Sequence, residues 1–243
     1  MRRIAIIIPA YNEQNRIQKT LEAYATYFNT KTAYAVELLV VLNGCTDNTA
    51  EVVQSFQKEH PTIKMINLTQ AGKGLAIKAG FLDAVKHNYD LIGFVDADMA
   101  TQPRSFEDLI NNIGDYDGII ASRYMPGAKV YPPRPFIKEW GRRIFYNSLI
   151  RLLFGMRYKD LQCGAKLFKH KVIARVAPQL TIEQWAFDVE LLYVCKLNQF
   201  KIKEFPTIWY DQAESKLRVM RSGLRMLSSV IQLRLAYLFK KKD

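Results

Sequence analysis

The chain has 243 residues, of which 49% are hydrophobic and 12% aromatic, which is enough for a sizeable core and excludes wholesale disorder. Its length allows one α/β domain or about one and a half. The apolar stretch after Arg2 and Arg3 is too short for a signal peptide, and no run of about 18 apolar residues predicts a transmembrane helix. The three cysteines lie far apart, which predicts neither a zinc site nor a disulfide framework and favours a reducing compartment.

The formal charge of +12 is concentrated in the second half of the chain. Residues 1–122 carry a net charge of −3, whereas residues 123–175 carry +11. A localised basic surface typically binds nucleic acid, anionic lipid or a phosphorylated substrate. The alternative, a solvated face that only aids solubility, fits such a concentrated segment less well.

The first half alternates between strand and helix patterns. Strands are predicted at 3–9, 37–42, 63–68, 91–95 and 118–121, and helices at 13–28, 47–60, 73–88 and 103–113. This alternation indicates βαβ units, and therefore a Rossmann-like, mainly parallel sheet flanked by helices.

The second half differs, because it follows a Pro-rich break at 131–135. A turn around Gly164 precedes a predicted strand, and a helix at 185–198 and a strand at 201–206 follow. The segments at about 136–154 and 215–239 each combine an apolar stripe with basic residues, which is the pattern of an interfacial membrane helix. The alternative is an ordinary surface helix with solvated charges.

Two carboxylates follow the apolar run 91–95 directly, in Asp96-Ala97-Asp98. The carboxyl end of a buried strand is where open α/β sheets bind ligands. Two Asp side chains at this point could approach one hard divalent cation, which often takes only one or two protein carboxylates together with substrate phosphates. The motif therefore predicts a metal–diphosphate site, although an Asp after a strand also serves as a turn or helix cap.

Other candidate ligands follow the first three strands. At the end of the first, Pro9 closes the strand, Tyr11 offers a ring to a base, and Glu13 could accept from a ribose hydroxyl or favour a helix N-terminus. Asn43 lies where an amide could read a base edge. Lys73, between two glycines before a helix, could neutralise a phosphate, with a tight turn as the equal alternative.

These motifs, in this order and spacing, resemble glycosyltransferase family 2. The later segments resemble its polyprenyl-phosphate branch and are most similar to dolichyl-phosphate glucosyltransferases, with mannose synthases more distant. The matching stretches are 9–13, 43–47, 72–74, 96–98, 122–127, 142–155, 160–168, 185–192 and 215–217. The chain departs from the family at Leu42 and Asn43, where paired acids are usual, and at Ala100, where mannose synthases carry a Gln metal ligand.

The resemblance implies a GT-A fold, with a nucleotide-sugar-binding half at 1–122 and an acceptor-binding half at 123–243 in one integrated domain. It implies a metal-dependent inverting transfer of a hexose, with glucose from UDP-glucose favoured, to dolichyl or undecaprenyl phosphate. Asp96 and Asp98 would hold Mg²⁺ or Mn²⁺, and Pro9, Tyr11, Glu13, Asn43, Lys73, Asp96 and Ala97 would bind the donor.

Guanidinium groups bind phosphate bidentately, so we expect Arg123 with Arg142 or Arg143 to hold the acceptor phosphate. The alternatives are an Arg–carboxylate pair for Arg123 and lipid-headgroup contacts for the other two. A lipid phosphate is already ionised and needs no strong general base; a sugar hydroxyl would need one, with Asp188 or Glu190 as candidates.

We expect a cytoplasmic protein, peripheral on the cytoplasmic face of an anionic membrane, with a membrane-embedded glycosyltransferase or a flippase as further partner. One rival function is a family 2 transferase that acts on a saccharide hydroxyl in glycan or cell-envelope assembly. Another is a basic nucleic-acid-binding protein with a Rossmann-like core, but the sequence contains no recognised nucleic-acid motif, so no nucleic acid is expected.

Overall fold

The structure is a computed structural model that describes residues 1–133, 146–182, 186–212 and 228–237. Its strands are β1 (Arg2–Ala10), β2 (Tyr34–Asn43), β3 (Ile63–Leu68), β4 (Leu91–Val95), β5 (Gly118–Ser122), β6 (Lys129–Tyr131), β7 (Ala165–Lys169), β8 (Ile202–Pro206) and β9 (Ile208–Tyr210). Its helices are α1 (Ile17–Asn29), α2 (Thr49–Glu59), α3 (Lys73–Ala84), α4 (Pro103–Asn112), α5 (His170–Val176) and α6 (Phe187–Leu197), with a 3₁₀ turn at Ala177–Gln179. Residues 146–154 and 228–237 are also helical.

Seven strands form one sheet in the order β3-β2-β1-β4-β7-β5-β8. Every strand runs parallel to the others except β7, which is antiparallel to both β4 and β5. The predicted α/β fold with a mainly parallel sheet is therefore confirmed. Strands from the first and second halves of the chain share this sheet, with β7 and β8 joining those of residues 1–122.

Alternating side chains of β1 enter two hydrophobic clusters on opposite faces of the sheet. Ile4, Ile6 and Ile8 belong to a cluster that includes buried residues of α1 and α4. Ala5 and Ile7 belong to the other cluster, which includes α3, α5, α6 and both helical segments 146–154 and 228–237. Both faces of the sheet are covered, as expected for strands that read as continuous apolar runs.

The carboxyl ends of β1, β2 and β4 lie side by side, because β1 pairs in parallel with both neighbours. The short two-stranded ribbon of β6 and β9 lies next to the loop that follows β4, through a bridge between Thr101 and Trp209. This edge of the sheet brings together the segments that the sequence singled out.

The helical segment 228–237 has an inward and an outward face. Val230 and Leu233 are buried, whereas Ile231 and Leu235 are exposed. Ile231 belongs to the apolar stripe predicted for 215–239 but is exposed, whereas Val230 and Leu233 pack into the core. The other residues of that stripe lie outside the described residues.

None of the helices in the described part of the chain is long and apolar enough to span a bilayer.

Candidate active site

The Asp96-Ala97-Asp98 turn leaves the end of β4 and is held by hydrogen bonds from α1. The Thr20 hydroxyl donates to the Ala97 carbonyl at 2.7 Å, and the Tyr24 hydroxyl donates to the Thr101 carbonyl at 2.9 Å. Both side chains are fully buried and lie one helical turn apart, so they form a rigid support. Met99 adopts a left-handed conformation with φ of 60°, a backbone strain that such support can sustain.

The same turn is fixed on two other sides. The Tyr210 amide donates to the Ala100 carbonyl at 2.9 Å, which ties the turn to the β6–β9 ribbon. Gly164, just before β7, packs against the Asp96 carboxylate so closely that a side chain there would overlap it. The two acidic side chains therefore project from a backbone whose position is determined by several elements.

The electrostatics of the turn favour a cation. Lys73, the first residue of α3, forms an ion pair with Asp96. Burial and the nearby Asp96 carboxylate raise the pKa of Asp98 above its ordinary value. Burial also raises the pKa of Glu13, and the negative charges of Asp98 and Asp96 raise it further. Three carboxylates thus share a small region with incomplete compensation, and a divalent cation would relieve their repulsion.

The residues fit a hard divalent metal with few protein ligands. Asp98 Oδ1 accepts from the Ala100 amide at 3.0 Å, which orients the carboxylate. Within the described part of the chain, no cluster of three or more His, Cys, Asp or Glu side chains could enclose a metal. Two carboxylates from one turn, with the remaining positions supplied by water and a diphosphate, are the arrangement that Mg²⁺ commonly takes.

The segment after β1 presents an exposed aromatic ring. Pro9 is buried within β1, which continues to Ala10, and Tyr11 is 51% exposed beside it. Asn12, with φ of 53°, accepts from the Thr46 amide at 2.8 Å and joins this segment to the loop after β2. Tyr11 is therefore free to contact a flat ligand while its backbone is fixed.

Glu13 does not begin a helix as the sequence pattern predicted. Its carboxylate forms a bidentate ion pair with Arg16, at 2.7 and 2.8 Å, and α1 begins at Ile17. The Glu13 amide donates to the hydroxyl of Thr49, the first residue of α2, at 2.8 Å. The segment before α1 is thereby attached to the start of α2. A ribose hydroxyl would have to share the carboxylate with Arg16.

Asn43 is a buried residue whose side-chain amide bonds to two backbone segments. Its side chain is 2% exposed, its Nδ2 donates to the Ala10 carbonyl at 2.8 Å, and its Oδ1 accepts from the Gly72 amide at 3.0 Å. Both the nitrogen and the oxygen of the side-chain amide are therefore hydrogen-bonded to backbone groups. Asn43 thus joins the ends of β1 and β2 to the start of α3, and its contact with a base stays a prediction.

Arg123, after β5, adopts the alternative that the sequence left open. Its Nε and Nη2 donate to the Asp160 carboxylate at 2.8 and 2.9 Å, and the guanidinium lies over the Trp209 ring at 4.9 Å. Burial raises the pKa of the Asp160 carboxyl, but the Arg123 guanidinium lowers it more, so that the pKa lies below its ordinary value. The bidentate fork is therefore occupied by a carboxylate, and the donors that remain for a phosphate are those of Nη1 and the second hydrogen of Nη2.

A second ion pair lies beneath the Asp96 turn and was not predicted. Lys166 of β7 is fully buried, and its Nζ donates to Asp188 Oδ1 at 2.6 Å and to the Cys163 carbonyl at 2.7 Å. A buried ammonium group is costly unless its charge is compensated, here by the Asp188 carboxylate. The sequence contains one indication of this pair: a lysine within an apolar strand pattern, two residues after Gly164, which would need a buried partner of opposite charge.

The two acids considered as general bases are both engaged. Asp188 pairs with Lys166, and Glu190 is completely buried. Glu190 accepts from the amides of Thr181 and Ile182, from the Thr181 hydroxyl and from the Tyr237 hydroxyl. Glu190 therefore anchors the 181–182 turn and the helical segment 228–237. Arg142 and Arg143 lie outside the described residues.

Residues 5–176 match the sequence profile of the family described as "Glycosyl transferase family 2". The chain is 33% identical to a dolichyl-phosphate beta-glucosyltransferase of Dictyostelium discoideum, over 97% of this chain and 75% of that protein. It is 30% identical to the protein of the same name from Saccharomyces cerevisiae, with the same coverage.

Among solved structures, glucosyl-3-phosphoglycerate synthase from Mycobacterium tuberculosis, in a complex with Mn²⁺, UDP and glucosyl-3-phosphoglycerate, aligns with a TM-score of 0.69. The alignment covers 96% of this chain and 80% of that one, at 14% sequence identity. Structural similarity at this level of identity establishes a shared fold, and the predicted GT-A architecture is confirmed.

Proposed function

Because this chain belongs to glycosyltransferase family 2, we propose that it transfers glucose from UDP-glucose to a polyprenyl phosphate such as dolichyl phosphate. The sequence relatives named dolichyl-phosphate beta-glucosyltransferase, which match over nearly the whole chain, support this sugar and this acceptor. Since the sugar of UDP-glucose is α-linked, a β-linked product requires inversion at the anomeric carbon. The proposal rests on the half-buried turn that carries Asp96 and Asp98 and is held by hydrogen bonds from α1 and from the β6–β9 ribbon.

Asp98 and Asp96 would hold Mg²⁺ or Mn²⁺ against the donor diphosphate. Such a metal stabilises the negative charge that develops on the leaving nucleotide. The raised pKa of Asp98 supports this assignment, because it reports a carboxylate that lacks full compensation by protein cations. Lys73 adds a positive charge beside Asp96 at the N-terminus of α3. The backbone amides of a helix N-terminus would also attract the donor diphosphate.

The nucleoside would lie along the exposed ring of Tyr11, next to the ends of β1 and β2. Tyr11 is fixed through its neighbour Asn12, which holds the loop after β2. Glu13 could accept a ribose hydroxyl while it remains paired with Arg16. Asn43 would support this surface from below rather than contact the base.

The acceptor phosphate would attack without a protein base. A phosphate monoester dianion is the predominant ionisation state near neutral pH and needs no deprotonation before it reacts. The engagement of Asp188 by Lys166 and the complete enclosure of Glu190 support this reading, since neither is placed as a free base. Arg123 through its Nη1, with Arg142 or Arg143, would orient the phosphate.

The lipid chain of the acceptor would remain in a membrane beside the site. Leu152 is 81% exposed on the helical segment 146–154, and Ile231 and Leu235 are exposed on the helical segment 228–237. Both segments pack against the hydrophobic cluster that contains α6, and residues 123–175 carry the excess positive charge. Exposed apolar side chains within a basic region suit a peripheral position on an anionic, cytoplasmic membrane face.

The test is transfer of radiolabelled sugar into an organic-extractable lipid. UDP-glucose, UDP-galactose, UDP-N-acetylglucosamine and GDP-mannose would each be offered with dolichyl or undecaprenyl phosphate, with Mg²⁺, Mn²⁺ or EDTA. We expect metal-dependent label in the lipid from UDP-glucose, lost in Asp98→Ala. Metal-dependent donor hydrolysis without a lipid product would overturn the lipid acceptor, and no turnover of any donor would overturn the transferase.

A further inference from the structure

The hydroxyl of Tyr146 is buried and has no hydrogen-bond partner among the described residues. Tyr146 lies on the inward face of the helical segment 146–154, one turn before the fully buried Ile150. A buried hydroxyl without a partner costs free energy, so its presence in a packed region indicates a polar group that is supplied from elsewhere.

Asp188 is the charged neighbour of this hydroxyl. Burial, together with the Asp188 carboxylate, raises the pKa of Tyr146, so the hydroxyl stays protonated and acts as a hydrogen-bond donor or acceptor at physiological pH. Asp188 commits Oδ1 to Lys166 at 2.6 Å, and its Oδ2 has no hydrogen bond within the part of the chain that the structure describes. Tyr146 and Asp188 thus offer one unused donor and one unused acceptor.

The Lys166–Asp188 pair lies close to the Asp96 turn. Lys166 Nζ donates to the carbonyl of Cys163 at 2.7 Å, and the next residue, Gly164, is the one that packs against the Asp96 carboxylate. The missing side chain of Gly164 admits Asp96, and Lys166 holds Asp188 beside it. Asp188 also acts electrostatically on Lys73, which pairs with Asp96. Asp188, which acts on the Tyr146 hydroxyl, therefore lies close to the proposed diphosphate site.

We propose that Tyr146 and the free oxygen of Asp188 bind one hydroxyl group of the transferred hexose and so determine which hexose is accepted. An alcohol both donates and accepts hydrogen bonds, and it matches this pair: it donates to Asp188 Oδ2 and accepts from the Tyr146 hydroxyl. A buried polar pair discriminates strongly against a sugar that lacks or inverts this hydroxyl, because both protein groups are then left without partners. This inference rests on the proposed function, because it assumes a nucleotide-sugar donor at the Asp96 turn.

The test compares the wild type with Tyr146→Phe, which removes only the hydroxyl. Tyr158→Phe is the matched control, because Tyr158 is a partly buried tyrosine packed against the same hydrophobic cluster and outside the site. Calorimetry with Mn²⁺ would give the affinities for UDP and for UDP-glucose. We expect Tyr146→Phe to weaken UDP-glucose about 3- to 10-fold while UDP is unchanged, and Tyr158→Phe to affect neither.

A series of UDP-glucose analogues, each lacking the 2-, 3-, 4- or 6-hydroxyl, identifies the sugar group. For one analogue, the wild type and Tyr146→Phe should have equal kcat/KM, because the missing hydroxyl is the one that Tyr146 contacts; for the others the variant should keep its deficit. Equal affinities of both proteins for every donor, or equal losses for UDP and all donors, would overturn the inference. Failure of the proposed function looks different, since the wild type itself would then transfer no hexose.

Discussion

The carboxylate of Asp96 occupies the space that a side chain at residue 164 would need. A Cβ atom on Gly164 would overlap Cγ and both oxygens of Asp96. The two residues meet because β7 runs antiparallel to β4 and Ala165 pairs with Val95. Gly164, just before β7, therefore lies beside Asp96, just after β4. The absent side chain of Gly164 therefore determines where one of the two candidate metal ligands lies.

Gly164→Ala should impair the site more than the fold. The added methyl group displaces Asp96 and separates it from Lys73, so we expect kcat to fall at least about 10-fold and Mn²⁺-dependent binding of UDP to weaken. The matched control is Gly118→Ala, where a methyl group would overlap Phe168 and Ile202 in the same sheet. Denaturant unfolding should show a loss of about 1–3 kcal/mol for Gly118→Ala with kcat retained. Equal kcat values for both variants would contradict the role of Gly164.

The pKa of Asp98 should be measurably high in the metal-free protein. Burial and Asp96 raise it, whereas the Ala100 amide and Lys73 lower it. A ¹³C NMR titration of the Asp carboxyl carbons should place its midpoint above 3.8, lower in Asp96→Asn and higher in Lys73→Met. Because a proton competes with a metal for the carboxylate, Mn²⁺ affinity should decrease as the pH falls towards this midpoint. A midpoint at or below 3.8 would argue against an uncompensated carboxylate.

The Arg123–Asp160 pair should stabilise the fold. Asp160→Asn leaves a nearly buried guanidinium without its counter-charge, which typically costs about 3–5 kcal/mol in the free energy of unfolding. The single variant Arg123→Met should also destabilise the fold, and Arg123→Met combined with Asp160→Asn should cost less than the sum of the two single changes. Denaturant unfolding of the three variants checks this, and strictly additive losses would show that the two side chains do not interact.

The same variants separate a structural from an acceptor-binding role of Arg123. If Nη1 also contacts the acceptor phosphate, KM for polyprenyl phosphate should rise in both proteins that lack Arg123 and much less in Asp160→Asn. Steady-state kinetics with a fixed concentration of UDP-glucose gives this comparison. An unchanged KM in the double variant would assign the acceptor phosphate to other cations.

Membrane association should depend on the exposed apolar residues of the two helical segments. Leu152→Glu and Leu235→Glu each place a carboxylate where an apolar side chain is exposed, so we expect weaker binding to vesicles that contain phosphatidylserine. Tyr116→Glu, at another exposed apolar residue before β5, is the control and should bind like the wild type. Co-sedimentation that is equal for all four proteins would place the membrane contact elsewhere.

Much of the fold follows from local sequence patterns. The strands at Ile63–Leu68 and Leu91–Val95 have the predicted bounds, because each is a short apolar run bordered by polar residues. The three-residue strands β6 and β9 were not predicted, since a ribbon this short has no readable period. α1 begins four residues late because residues 13–16 are used to hold the loop after β2.

The candidate site was predictable where one segment carries the chemistry, and not where distant segments combine. Asp96 and Asp98 were proposed as metal ligands because they follow a buried strand. The hydrogen bond between Asn43 and Gly72 was not predicted, because the two residues are 29 positions apart and only the folded sheet brings them together. The Gly164–Asp96 contact depends on the antiparallel placement of β7, which a pattern typical of parallel sheets does not predict.

The most direct measurement is an anomalous difference map from crystals grown with UDP and Mn²⁺. We predict one manganese peak bonded to a carboxylate oxygen of Asp98 and to diphosphate oxygens, with Asp96 and Lys73 beside it and the uracil against Tyr11. UDP bound at this edge of the sheet without metal contact to Asp98, or a manganese peak at another site, would contradict the account.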